Sequence, residues 1–79
     1  MKYSVDYLYS FGKGEIKTDR YLFSFYNDND ELKEVEVDMI TDDEKTHMSI
    51  NEYESDELTE DERGLLYYLI DRWSINNLL

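Results

Sequence analysis

The chain reads as an α+β domain, a three- or four-stranded antiparallel sheet covered on one face by a C-terminal helix. Three observations predict this. Apolar and polar residues alternate with a period of two in successive stretches. Gly-rich and Asn/Asp-rich turn signals separate those stretches. An apolar stripe of helical period closes the chain behind a capping-box signature. The 79 residues form one domain spanning 1–79.

The first strand carries Tyr3, Val5, Tyr7, Tyr9 and Phe11 on one face and Lys2, Ser4, Asp6 and Ser10 on the other. Gly12-Lys13-Gly14 ends it in a turn. A second strand follows over Arg20–Tyr26, with Tyr21, Phe23 and Phe25 sharing a face. Asn27-Asp28-Asn29-Asp30 is a turn, because Asn and Asp tolerate left-handed backbone and bond to their own main chain. The third strand runs from Leu32 to Ile40, where Val35, Val37 and Met39 alternate with Glu34, Glu36 and Asp38. Thr41-Asp42-Asp43-Glu44 terminates it.

Residues 45–57 read two ways. Thr46–Ile50 suits a short fourth strand, and Ser49-Ile50-Asn51-Glu52 suits a capping box opening a short helix. The C-terminal helix is plainer. Thr59 is the N-cap, Glu62 completes the box, and Glu60, Asp61 and Glu62 complement the positive end of the helix dipole. Leu65, Leu66, Leu69, Ile70 and Trp73 recur at helical spacing and form the core stripe.

Charge bounds the function. Twenty Asp and Glu stand against eight Lys and Arg, a formal net charge of −12, beside 15% aromatic residues. Disordered acidic chains are poor in aromatics, so this composition describes a folded domain with an acidic skin. Nucleic acid and anionic membranes would repel such a surface, and a basic protein would attract it. No apolar run is long enough for a membrane span. The opening residues Met1–Asp6 hold no signal-peptide apolar stretch, and there is no Cys. A cytoplasmic protein is expected, without disulfide or thiolate site.

Catalytic patterns fail on inspection. His47, the one His, has Ser49 as its nearest hydroxyl, but no nucleophile-elbow glycines flank it. The acids from Asp28 onward put Lys33 where a calcium loop needs Gly and Met39 where it needs Glu. Gly12-Lys13-Gly14 lacks the second half of a phosphate loop. The chain is therefore read as a non-enzyme, with no catalytic residue, metal or cofactor expected.

Binding residues are a better match to the pattern. Alternate carboxylates on a strand lie about 6.6 Å apart, near the repeat of a phosphate row, and Arg or Lys can clamp either anion. Glu34, Glu36 and Asp38, then Asp42, Asp43 and Glu44, are the candidate acidic contacts. Tyr26 and Tyr53 are candidate aromatic anchors, since more rings are present than one small core requires.

These acidic sets, the acidic 52–62 stretch and the aromatic surplus give a chain that resembles, in general character, the small acidic phage inhibitors of the anti-CRISPR and anti-restriction type. The resemblance implies inhibition of a basic nucleic-acid-binding complex of a host defence system by occupying its nucleic-acid site, in the host cytoplasm. Two readings compete with it. One is an accessory domain that forms homodimers through an aromatic sheet face. The other is a domain whose charge serves solubility alone.

Overall fold

The computed structural model describes residues 2–43, 45–51 and 55–77. Four strands, β1 (Tyr3–Lys13), β2 (Ile16–Tyr26), β3 (Leu32–Asp42) and β4 (Lys45–Asn51), precede one helix, α1 (Glu60–Asn77). The sheet is an antiparallel meander in the order β1-β2-β3-β4. The α+β class, the antiparallel sheet and the C-terminal helix are as the sequence predicts. Residues 45–51 take the strand reading. Met48 and Ile50 pair with Met39 and Val37, so their apolar side chains extend the core face; a helix there would lose that register. Ser49 thus stands in a strand and caps no helix.

Each turn follows from its residues. Lys13 pairs with Ile16, leaving the two-residue loop Gly14-Glu15, with Gly14 at φ +66°. Glycine at the first central position is what a type II′ hairpin loop requires. In the loop 27–31, Asn27 Oδ1 accepts from the backbone N–H groups of Asn29 and Glu31, each at 2.9 Å. Asp30 takes the left-handed φ of 60° that Asp tolerates better than most residues.

The core lies between one sheet face and α1. Phe23, Phe25, Val35, Val37 and Met39 meet Leu66, Leu69 and Ile70 there, all buried. Tyr3, Val5, Tyr21, Met48, Ile50, Leu58, Leu65 and Trp73 pack around them. The helix starts as its capping box dictates. The Thr59 N–H donates to Glu62 Oε1 at 2.8 Å, and the Glu62 N–H donates to Thr59 Oγ1 at 3.2 Å.

One expectation fails. Tyr3, Val5, Tyr7, Tyr9 and Phe11 do not share a face. The register shifts between Tyr7 and Tyr9, so Leu8 is an extra residue, a β-bulge. Tyr3, Val5 and Tyr7 lie opposite Phe25, Phe23 and Tyr21 on the helix side. Tyr9 and Phe11 lie opposite Arg20 and Thr18 on the far side. Alternation breaks at a bulge because the side-chain period is two and one added residue inverts it.

The helix is also shorter than the sheet. Eighteen residues make about 27 Å of helix, and eleven-residue strands run about 36 Å.

Candidate protein-binding surfaces

Charge is segregated along the fold. Residues 1–26, which contain β1 and β2, hold four Lys or Arg against three Asp or Glu. Residues 27–79 hold four against seventeen. The first hairpin also carries eight of the twelve aromatic rings. One part of the molecule is near-neutral and aromatic, and the other carries the whole acidic excess.

The far face of the sheet, turned away from α1, is organised by Arg20. Its Nε donates to Asp38 Oδ1 at 2.7 Å and its Nη2 to Asp38 Oδ2 at 2.9 Å. This is a bidentate pair, the strongest common ion-pair geometry. Nη1 donates to the Tyr9 hydroxyl at 2.6 Å. The guanidinium carbon lies 5.4 Å from the Tyr9 ring centre and 5.1 Å from that of Phe11, within cation–π range. Glu36 Oε1 is 3.8 Å from Nε. The hydrogen bond to Asp38 is the main cause that raises the Arg20 pKa further above its ordinary value.

This network changes the standing of the β3 carboxylates. Only Glu34 of the row stands exposed. Side-chain exposure falls to 15% at Glu36 and 14% at Asp38, because Arg20 draws both inward. The row is not three free anions at regular spacing. Sequence reasoning missed Arg20 because it lies on another strand; its pairing opposite Asp38 was the available signal once register was known.

Asp42 and Asp43 are exposed at the far end of β3, about 26 Å along the strand from Glu34. Asp43 takes a left-handed φ of 52° in the turn. Tyr26 is exposed at the end of β2. Glu44 and Tyr53 lie outside the described residues. His47 is exposed on β4, near Asp42, Asp43 and Lys45. Among the described residues no cluster of three or more His, Asp or Glu is arranged to hold a metal.

A second acidic area forms where the 27–31 loop meets the helix start. Asn27 Nδ2 donates to Glu62 Oε2 at 2.9 Å and to Glu31 Oε1 at 3.2 Å. Lys33 Nζ lies 3.8 Å from the same Glu62 oxygen. Bonds from the Thr59 backbone and then the Asn27 amide hold the buried Glu62 carboxyl below its ordinary pKa. The clamp brings Asp28 and Glu31 beside Asp61 around one shallow depression. Asp56 joins from the adjoining segment: its N–H donates to the Glu34 carbonyl at 3.0 Å, and its Oδ2 accepts from the Glu34 N–H at 2.9 Å. Asp28, Asp30, Glu31, Glu34, Asp56, Glu60 and Asp61 are all exposed. They make one acidic pole from three sequence regions, and no local pattern marks Asn27 as the residue that ties the loop to Glu62.

The aromatic surplus is distributed over several surfaces. Tyr67 and Tyr68 are exposed on the outer side of α1, and Arg72 Nη1 donates to the Tyr68 hydroxyl at 2.8 Å. Tyr7, Leu8, Tyr9 and Phe11 are exposed along β1. Among the described residues no helix is long and apolar enough to cross a membrane.

No protein-family model matches the chain, and neither the curated proteins nor the solved structures contain a match to it.

Proposed function

We propose that this chain is a small acidic inhibitor that occupies the basic, nucleic-acid-binding site of a partner protein, in the manner of the anti-CRISPR and anti-restriction class it resembles. A host defence complex in the cytoplasm is the partner class. The observation that supports the reading is charge segregation: seventeen acids against four bases from residue 27 onward, displayed on a folded scaffold. Such a field steers a basic partner into contact and repels nucleic acid itself.

The contacts follow from exposure. Glu34 links the acidic pole of Asp28, Asp30, Glu31, Asp56 and Asp61 to the far sheet face, while Asp42 and Asp43 extend the acidic surface at the other end of β3. Tyr26 lies beside Leu32 at the pole end and supplies an apolar ring next to the acids. Glu36 and Asp38 act through the fold, by fixing Arg20. Neutralising them would confuse loss of contact with loss of structure.

Two separate variants test the reading. One is Glu34→Gln/Asp42→Asn/Asp43→Asn, and the other is Asp28→Asn/Asp30→Asn/Asp61→Asn. Proteins captured from a bacterial lysate by the immobilised parent are expected to elute with salt and with duplex DNA. At least one variant is expected to lose them. Capture that resists both eluents and both variants would overturn the proposal.

A further inference from the structure

β1 is an edge strand, and among the described residues no element lies beyond it. It is eleven residues long and almost wholly exposed, with Tyr7, Leu8, Tyr9 and Phe11 each more than a third accessible. A long, apolar, uncovered edge is a template for pairing with another strand. Its length distinguishes it from the other edge, β4, which spans seven residues, and its charge is low. It holds one acid, Asp6, and one base, Lys13, whereas β3 carries four acids and one base. A molecule of net charge −12 can approach a copy of itself most cheaply where its own surface is neutral.

The geometry points to a second copy of this chain as the occupant, paired antiparallel through β1 about a two-fold axis at Ser10. The bulge shifts the pairing beyond Tyr9. With Leu8 counted as the inserted residue, Ser10 faces Ser10 of the second copy. Tyr9 then faces Phe11, Tyr7 faces Gly12, and Asp6 faces Lys13. Every pair also shares a sheet face. Asp6, Tyr9, Phe11 and Lys13 lie opposite Leu22, Arg20, Thr18 and Ile16 on the far side, while Tyr7, Ser10 and Gly12 lie opposite Tyr21, Asp19 and Lys17 on the helix side. The edge is therefore complementary to itself. Two aromatic pairs flank the axis, and an Asp–Lys pair closes each end, each a stabilising cross-strand combination. Neither Asp6 nor Lys13 has an ion-pair partner within the chain among the described residues. Without the bulge, Tyr7 would face Lys13 and Asp6 would face Gly14, and the Asp–Lys pairs would be lost. The two four-stranded sheets would join into one of eight strands with closed two-fold symmetry, leaving the acidic poles at opposite ends.

This inference stands apart from the inhibitor reading, and salt separates the two. Screening weakens binding to a basic partner, but relieves repulsion between two acidic copies. The direct test is Ser10→Cys in this cysteine-free chain, exposed to a glutathione redox buffer. Facing residues of an antiparallel pair have Cα atoms about 4.5–5.5 Å apart, within disulfide range. The variant is expected to form a covalent dimer, and Ser4→Cys, further along the same edge, to remain uncross-linked. Sedimentation of the parent is expected to show a dimer that strengthens with salt. Asp6→Lys should weaken it about tenfold by opposing two Lys at each end, and Asp6→Lys/Lys13→Asp should restore it. A parent that sediments as a monomer up to about 1 mM would overturn the inference, the bulge then serving to protect the edge. So would equal cross-linking at Ser4, or a dimer indifferent to both charge variants.

Discussion

The β1–β2 hairpin and the remainder of the chain solve different problems with different residues. The hairpin is near-neutral and supplies rings. Tyr7, Tyr21, Trp73 and Phe23 form an edge-to-face series with centroid distances of 5.5, 4.7 and 5.6 Å, running from the exposed edge into the core. Trp73 is the one member drawn from outside the hairpin. The remainder supplies β3, β4 and the helix, and with them the whole acidic excess. The two parts meet at Arg20, a hairpin cation held by Asp38 of β3. A small domain tolerates so many acids here because its stability rests on surfaces that carry few of them. The acidic residues are then available for recognition.

That division can be broken most severely on the hairpin side. Phe23 is completely buried, and Phe23→Ala is expected to cost about 3–5 kcal/mol, enough to threaten a domain of this size. Denaturant unfolding measures it. Trp73→Ala tests the seam from the helix. Trp73 is only half-buried, so about 3 kcal/mol is expected. A variant as stable as the parent would show that the aromatic series is not what ties helix to hairpin.

Arg20→Gln is next in size, at about 2 kcal/mol, because it leaves Asp38 without its bidentate partner. The same variant should expose Glu36 and Asp38 and make the far face more acidic. If stability falls while capture of a basic partner improves, the structural and recognition roles of the carboxylates are separated as proposed.

The cap sharpens the comparison from the acidic side. Thr59→Ala is expected to cost about 1 kcal/mol. Glu62 gives a pH signature. Its folded pKa is lowered, so its contribution is fully present above the ordinary Glu value of about 4.3. That contribution is lost as pH falls through the folded value. Glu62→Gln is expected to flatten the stability–pH curve below about pH 4.3 and leave its shape above pH 6 unchanged. The smallest effect is expected from Glu34→Gln/Asp42→Asn/Asp43→Asn: no loss of stability, and a weaker rise of melting temperature with salt than the parent shows.

The elements were legible where local pattern and tertiary environment agree. Val35, Val37 and Met39 alternate cleanly and are the core face of β3; the Thr59 box forms as its spacing dictates. Legibility failed at Leu8. Five alternating apolar residues from Tyr3 to Phe11 invite a single face, and nothing local marks the bulge that sends Tyr9 and Phe11 to Arg20. The candidate site was legible in composition but not in arrangement. Glu34, Glu36 and Asp38 share a face as their spacing requires, yet Arg20 on the neighbouring strand engages two of them. The acidic pole depends on Asn27 reaching Glu62 across 35 positions, a contact that no sequence window contains.

If the exposed acids of the post-hairpin region bind in place of phosphate, the protein and duplex DNA exclude one another from one basic site. Competition tests it most directly. A partner captured by the parent protein is titrated with duplex DNA in the presence of the parent or of each neutralised variant, at low and at high salt. Mutually exclusive binding of the parent and DNA is expected, with loss of the parent's affinity as salt rises and weaker competition by at least one variant. A ternary complex with DNA, or competition unchanged by salt and by both variants, would contradict it.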